Sequence, residues 1–204
     1  MLTLYKFEGK TKEEIENKII EELNSEKENL IINIKEEEGK LFKSKKYYYE
    51  VVQKSDIVKY VKEYINSLAQ NMNIVINSEV NIKDDVLNII LVSDSNSILI
   101  GKDGKTLSSI QVLIRNAINS KIRTGLKINI DASNYKANKQ KKLEFQIKKI
   151  AKEVLSSKVS VKLDHMNSYE RRCVHNVITK YPELKSISYG EDPNRFVEIS
   201  YKED

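Results

Sequence analysis

The chain has 204 residues, a formal net charge of +5, two histidines and a single cysteine. One cysteine, Cys173, excludes an intrachain disulfide, and no uninterrupted apolar run approaches the length of a membrane span. Met1–Glu8 lacks the basic region and apolar core of a signal peptide, so a soluble, cytoplasmic protein with no integral membrane segment is expected. A chain of this length has room for one large domain or two to three small ones.

In chain order, Leu2–Phe7 reads as a strand and Thr11–Leu23 as an amphipathic helix with Ile15, Ile19, Ile20 and Leu23 inward. Thr11 and Glu14 form a capping box at its start. Strands over Asn29–Ile34 and Tyr47–Val52 then flank a charged turn region, Lys35–Lys40, giving a β-α-β-β module over residues 1–52. Tyr47, Tyr48 and Tyr49 beside Lys45 and Lys46 suggest a base-stacking platform. Adjacent strand residues point to opposite faces, however, so at most two can share a surface. Burial of one or two rings is the favoured reading.

A helix follows over Ser55–Asn71, then strands over Asn73–Ile82 and Val86–Val92 with Lys83-Asp84-Asp85 as their turn. A short segment, Ser95–Ile100, runs into Gly101-Lys102-Asp103-Gly104-Lys105. Beyond it, Leu107, Ile110, Leu113, Ile114, Ala117 and Ile118 recur at the spacing of one helix face. Leu126–Ile130 alternates as a strand. Two glycines at a helix entrance allow a sugar-phosphate backbone to come close to amides that have no partner within the helix. A plain helix-helix turn is the alternative reading of the glycines alone.

The order α-β-β-α-(GxxG)-α-β over residues 55–132 resembles a type II KH domain. That resemblance implies a loop clamping the backbone of about four nucleotides.

The remaining residues, 135–204, begin with a long basic helix, Tyr135–Ser157, whose inward stripe is Leu143, Ile147, Ile150, Ala151 and Val154. Val159–Leu163 alternates like a strand. A helix then starts at Ser168, capped by Asn167 and Glu170, and ends near Lys180 because Pro182 disfavours helix at Tyr181. Val174, Val177 and Ile178 face the core, and Arg171 and His175 share a face. Arginine offers a planar fork to phosphate, and histidine can donate to phosphate or stack. Both could instead brace the helix against the last strand, Phe196–Tyr201; the two readings stand level for His175, and for Arg171 the contact reading is favoured. His165 is read as structural.

Arg171-x-x-x-His175, the entrance Met166-Asn167-Ser168-Tyr169-Glu170-Arg171-Arg172 and the turn Gly190–Arg195 resemble the Arg-x-x-x-His domains, which bind single-stranded nucleic acid. Ser168 stands where proline is usual and Phe196 where a second arginine is common. The resemblance implies Arg171, Arg172, His175 and Arg195 as nucleic-acid contacts, beside Gly101, Lys102, Asp103, Gly104 and Lys105 in the KH loop. Asp103 locally opposes the lysines.

The succession of the three modules resembles the Jag family, also called SpoIIIJ-associated proteins. Its basic, glycine-containing segment is degenerate here, since Leu41–Lys46 has no glycine. The fold class implied is α+β, three small α/β sandwich modules in tandem. The function implied is a non-catalytic single-stranded RNA-binding regulator or RNA chaperone, linked to cell elongation and envelope regulation. The resemblance implies pairing with a second small KH protein; self-association and single-stranded DNA binding stay open.

Charge distribution agrees with a polyanionic ligand. Residues 1–50 carry ten lysines against twelve glutamates, whereas residues 101–150 carry twelve basic residues against three acids. Such asymmetry is an electrostatic footprint for nucleic acid. No P-loop, nucleophile elbow or Cys/His metal spacing is present, so neither an enzyme nor a cofactor or metal is expected. The rival reading is a protein-interaction adaptor with weak nucleic-acid binding.

Overall fold

The computed structural model describes residues 2–37 and 45–202. It divides into two compact units, Met1–Ser133 and Asn134–Asp204. Each is a mixed α/β structure, and together the described residues form three separate three-stranded sheets.

The first unit opens with β1 (Tyr5–Gly9), α1 (Lys12–Leu23), β2 (Leu30–Glu37) and β3 (Lys46–Gln53). The sheet is antiparallel in the order β1-β3-β2, with Ile32 opposite Val51 and Tyr5 opposite the same residue on the other side. Ile15 and Ile19 of α1 pack on Leu30, Tyr49 and Val51, with Leu23 at the margin. Ile20, expected inward, is 46% exposed. It lies about 100° around the helix from Ile19, outside the stripe that runs through every fourth residue.

At the start of α1 the Thr11 hydroxyl accepts from the Glu14 N–H at 3.3 Å, but the Glu14 carboxylate accepts from Lys18 Nζ at 2.9 Å. The expected reciprocal box is thus a one-sided cap joined to an i,i+4 pair. Of the three tyrosines, Tyr49 is wholly buried and Tyr47 packs partly against the same core. The segment 41–44 of the degenerate loop lies outside the described residues.

The same unit continues with α2 (Lys54–Met72), β4 (Ile76–Lys83), β5 (Val86–Ser93), α3 (Asn96–Ile100), a 3₁₀ turn (Lys102–Gly104), α4 (Lys105–Asn119) and β6 (Lys127–Ala132). β4 pairs antiparallel with β5, which pairs parallel with β6. The hairpin turn is shorter than expected. Asp84 and Asp85 alone form it, both with positive φ (48° and 57°), the conformation that matches a hairpin's own twist.

α2 buries Ile57, Val61, Ile65 and Ala69; α4 buries Leu107, Ile110, Ile114 and Ile118. Leu113, expected inward, is 43% exposed, because the buried stripe runs through Leu107, Ile110, Ile114 and Ile118 and Leu113 lies about 100° around the helix from Ile114. β2 is tied to the segment between α4 and β6 by Asn33 Nδ2, which donates to the Arg123 carbonyl at 2.7 Å.

The second unit comprises α5 (Tyr135–Ser157), β7 (Val161–Lys162), α6 (Ser168–Ile178), β8 (Leu184–Tyr189) and β9 (Phe196–Tyr201). Its sheet is antiparallel in the order β7-β9-β8. Ile147, Ala151 and Val154 of α5 meet Val174, Val177 and Ile178 of α6 over Leu184, Val197 and Ile199. The capping box at α6 is complete: Asn167 Oδ1 accepts from the Glu170 N–H, and Glu170 Oε2 accepts from the Asn167 N–H, each at 3.0 Å. β8 has no counterpart in the sequence reading.

Candidate nucleic-acid interface

The KH-like loop is built by backbone geometry. Gly101 adopts φ 71°, ψ 179°, a region open essentially to glycine alone. A Cβ there would lie 2.1 Å from Thr106 Oγ1 and 3.1 Å from the Thr106 amide nitrogen. Gly104 (φ 84°) and Asp103 (φ 56°) are also left-handed, so three positive-φ residues turn the chain between α3 and α4.

The Gly101 N–H donates to Ser97 O at 2.9 Å and the Gly104 N–H to Gly101 O at 3.3 Å. The Lys105 N–H donates to Lys102 O. These amides therefore hold the loop's own shape. Lys102 and Lys105 are exposed at its tip, as is Asp103 between them, and Gly104 is buried. The loop can offer ammonium groups and a close, side-chain-free approach at the entrance to α4.

On α6 the signature pair is mostly committed inward. The Arg171 side chain is 9% exposed; its Nη1 donates to Met166 O at 2.9 Å and to Asp192 Oδ1 at 3.0 Å. Both ring nitrogens of His175 meet hydroxyls of β8, Nδ1 with Ser186 Oγ at 2.7 Å and Nε2 with Ser188 Oγ at 3.0 Å. Burial, and then the neighbouring Arg171 guanidinium, push the His175 pKa below its ordinary 6.5. Arg172 is exposed. Arg195 is half-buried; its carbonyl accepts from the Met166 N–H at 3.0 Å, while its Nε is buried without a hydrogen-bond partner among the described residues. Arg171 and Arg195 thus meet at the Met166 loop, whereas His175 is directed to β8.

Comparison with known proteins agrees with both halves of this geometry. Residues 58–130 match the family described as KhpA/KhpB, KH domain, and residues 141–201 match the R-3-H domain. A Clostridium symbiosum protein named RNA-binding protein KhpB is 37% identical over 134 residues, which make up 66% of this chain and 60% of that protein. The protein of that name from Bacillus subtilis is 28% identical over 202 residues, 95% of this chain and 96% of the relative. The chain carries a KH domain of the KhpA/KhpB kind and an R-3-H domain.

The candidate residues fall on the two compact units: a glycine-shaped loop with exposed lysines on one, and an arginine-histidine pair that ties α6 to its own domain on the other. Among the described residues no group of His, Cys, Asp and Glu is arranged to hold a metal ion, and no helix is long and apolar enough to cross a membrane.

Sequence reading missed the serines that receive His175, because β8 itself went unread. In Leu184-Lys185-Ser186-Ile187-Ser188-Tyr189 the serines face inward and Ile187 and Tyr189 outward, so apolar spacing does not mark the strand. Phe196, read as the loss of a phosphate contact, lies beside Tyr189 with ring centroids 5.9 Å apart. His165, read as structural, is exposed and lies 6.3 Å from the Phe196 ring.

Proposed function

We propose that the protein binds single-stranded RNA without catalysing a reaction, as a post-transcriptional regulator or RNA chaperone acting in the cytoplasm. The observation that carries this reading is the loop at Gly101–Lys105. Its glycine-only backbone brings exposed Lys102 and Lys105 to the start of α4 with no bulk between chain and ligand. Relatives named RNA-binding proteins share the same pair of domains. In the second unit, exposed Arg172 and half-buried Arg195 are the phosphate contacts, and Arg171 and His175 hold the helix and loops that present them. A role in cell elongation and envelope regulation, and pairing with a second small KH protein, follow from the family resemblance.

The test is fluorescence anisotropy of the full chain with labelled single-stranded RNA across a salt series. Lys102→Asp and Arg172→Glu should each weaken binding, and affinity should fall steeply with salt. Neutralising one phosphate contact should lower the salt slope by about one. Salt-independent binding, or binding untouched by both variants, would refute the reading.

A second reading, a protein-interaction adaptor, is favoured by one feature. Ile90 and Val92 project from β5 at 47% and 50% exposure, on the face opposite the buried Ile89 and Leu91. An adaptor would keep its partner when Lys102 and Arg172 are changed and lose it on Ile90→Asp.

A further inference from the structure

Among the described residues of the second unit, α5 and α6 pack on one face of the sheet and no helix of that unit covers the other. Strand alternation turns Leu184, Ser186 and Ser188 of β8 and Val197 and Ile199 of β9 inward. The register sets the outward residues in rows: Tyr189 opposite Phe196, Ile187 opposite Glu198, and Glu198 opposite Lys162. Tyr189 is 44% exposed and Ile187 43%. The Tyr189 and Phe196 rings are 5.9 Å apart and inclined by 33°, and His165 extends the row. An open hollow of about 600 Å³ lies over this face, lined by Lys158, Lys185, Ile187, Tyr189 and Glu198 among others.

Charge separates this face from a plain apolar docking surface. Lys162 and Lys185 project from it, and neither makes a hydrogen bond or ion pair among the described residues. Lys158 Nζ lies 5.0 Å over the Tyr201 ring, and Lys202 Nζ donates to Pro182 O at 2.6 Å, so these two border the hollow in fixed positions. Glu198 is the one acid among the outward strand residues.

A row of rings, with Tyr189 exposed and Phe196 half-buried beside it, flanked by unpaired ammonium groups, has the two properties a single strand requires. Every base has a π-face that an aromatic ring can accept, and every linkage has a phosphate that a lysine can meet. A purely apolar partner would leave the lysines desolvated and unpaired.

We propose that this helix-free face is a base-stacking surface for single-stranded RNA, with Tyr189 and Phe196 receiving bases and Lys162 and Lys185 facing phosphates. The proposal rests on the RNA-binding reading and adds a surface distinct from the α6 side chains.

The test uses the full chain and a labelled oligouridylate, read by anisotropy, with circular dichroism melting as a check on folding. Tyr189→Ala should weaken binding by about fivefold or more, the lower end of what one stacked base contributes. Lys185→Glu should weaken it too; this exposed lysine takes no part in the core, so the variant decides the matter if Tyr189→Ala does not fold. Phe145→Ala, at a 73% exposed aromatic on the helix layer, should bind like the parent. Ultraviolet cross-links, mapped by mass spectrometry, should include Tyr189 or Phe196. If Lys102→Asp weakens binding while folded Tyr189→Ala and Lys185→Glu bind like the parent, the sheet-face proposal falls and the RNA-binding reading stands. If the parent does not bind the oligonucleotide, both fall.

Discussion

His175 Nδ1 lies 2.7 Å from Ser186 Oγ, so the histidine of the Arg-x-x-x-His signature is bonded to a strand of its own domain. With Nε2 on Ser188, the ring joins α6 to β8 through both nitrogens. A neutral imidazole can donate at one nitrogen and accept at the other, which suits two hydroxyls. An imidazolium could also donate to both serine oxygens, so it is burial, and then the Arg171 guanidinium, that disfavour the charged ring.

This arrangement has a pH consequence. The folded-state pKa of His175 is lowered from 6.5, so the unfolded chain takes up the proton more readily than the native one. The contribution to stability is therefore complete above pH 6.5 and is lost as pH falls below it toward the folded value. An NMR titration should place the His175 midpoint below 6.5, and His175→Gln should flatten the acid side of the stability curve. A midpoint at or above the ordinary value would contradict the arrangement.

Arg171 offers a second test. Its buried guanidinium holds the Met166 carbonyl and Asp192. Arg171→Ala should cost about 1.5–3 kcal/mol, the range for hydrogen bonds to a charged group, read by urea unfolding. Asp192 is 68% exposed, so loss of its partner leaves a hydrated carboxylate and adds little. If Arg171→Ala unfolds like the parent but loses RNA affinity, the arginine is a direct contact and the positioning role is wrong.

Gly101→Ala should be destabilising by about 1–3 kcal/mol, the cost of a non-glycine residue in that backbone region. The clash with Thr106 Oγ1 at 2.1 Å adds to it. The variant Thr106→Ser would keep the hydroxyl and should not relieve it, whereas Thr106→Ala removes the nearest atom and should recover part of the loss. Thermal melting of the single and double variants measures both.

Cys173 is the lone cysteine and is buried, and burial raises its thiol pKa. The thiolate is the reactive species, so a thiol reagent should modify the native chain slowly and the urea-unfolded chain at once. Rapid native labelling would show that α6 opens far more readily than its packing suggests.

Long periodic elements were legible because their signals are local. The existence of α2, the inward stripe of α5, the Asn167–Glu170 box and the glycine turn at Gly101 all follow from spacing and residue type within a few turns. Ile20 and Leu113 were misplaced because two apolar neighbours on a helix compete for one stripe, and only the sheet beneath decides which of them is covered. β8 was missed because its inward positions after Leu184 are serines. Hydrophobic alternation cannot mark a strand whose buried partners are the nitrogens of a histidine from another element.

What the sequence by itself determined is the set of modules, the glycine loop and the placement of basic residues, since all of these depend on neighbours along the chain. What only the tertiary structure decided is the direction in which side chains spend their bonding capacity. Arg171 and His175 share a helix face, as spacing requires, yet strand pairing brings Ser186, Ser188 and Asp192 within 3.0 Å of them. The same pairing sets Phe196 beside Tyr189. Hydrogen bonds form at contact distance, and residues far apart in the chain reach contact only when the sheet has closed.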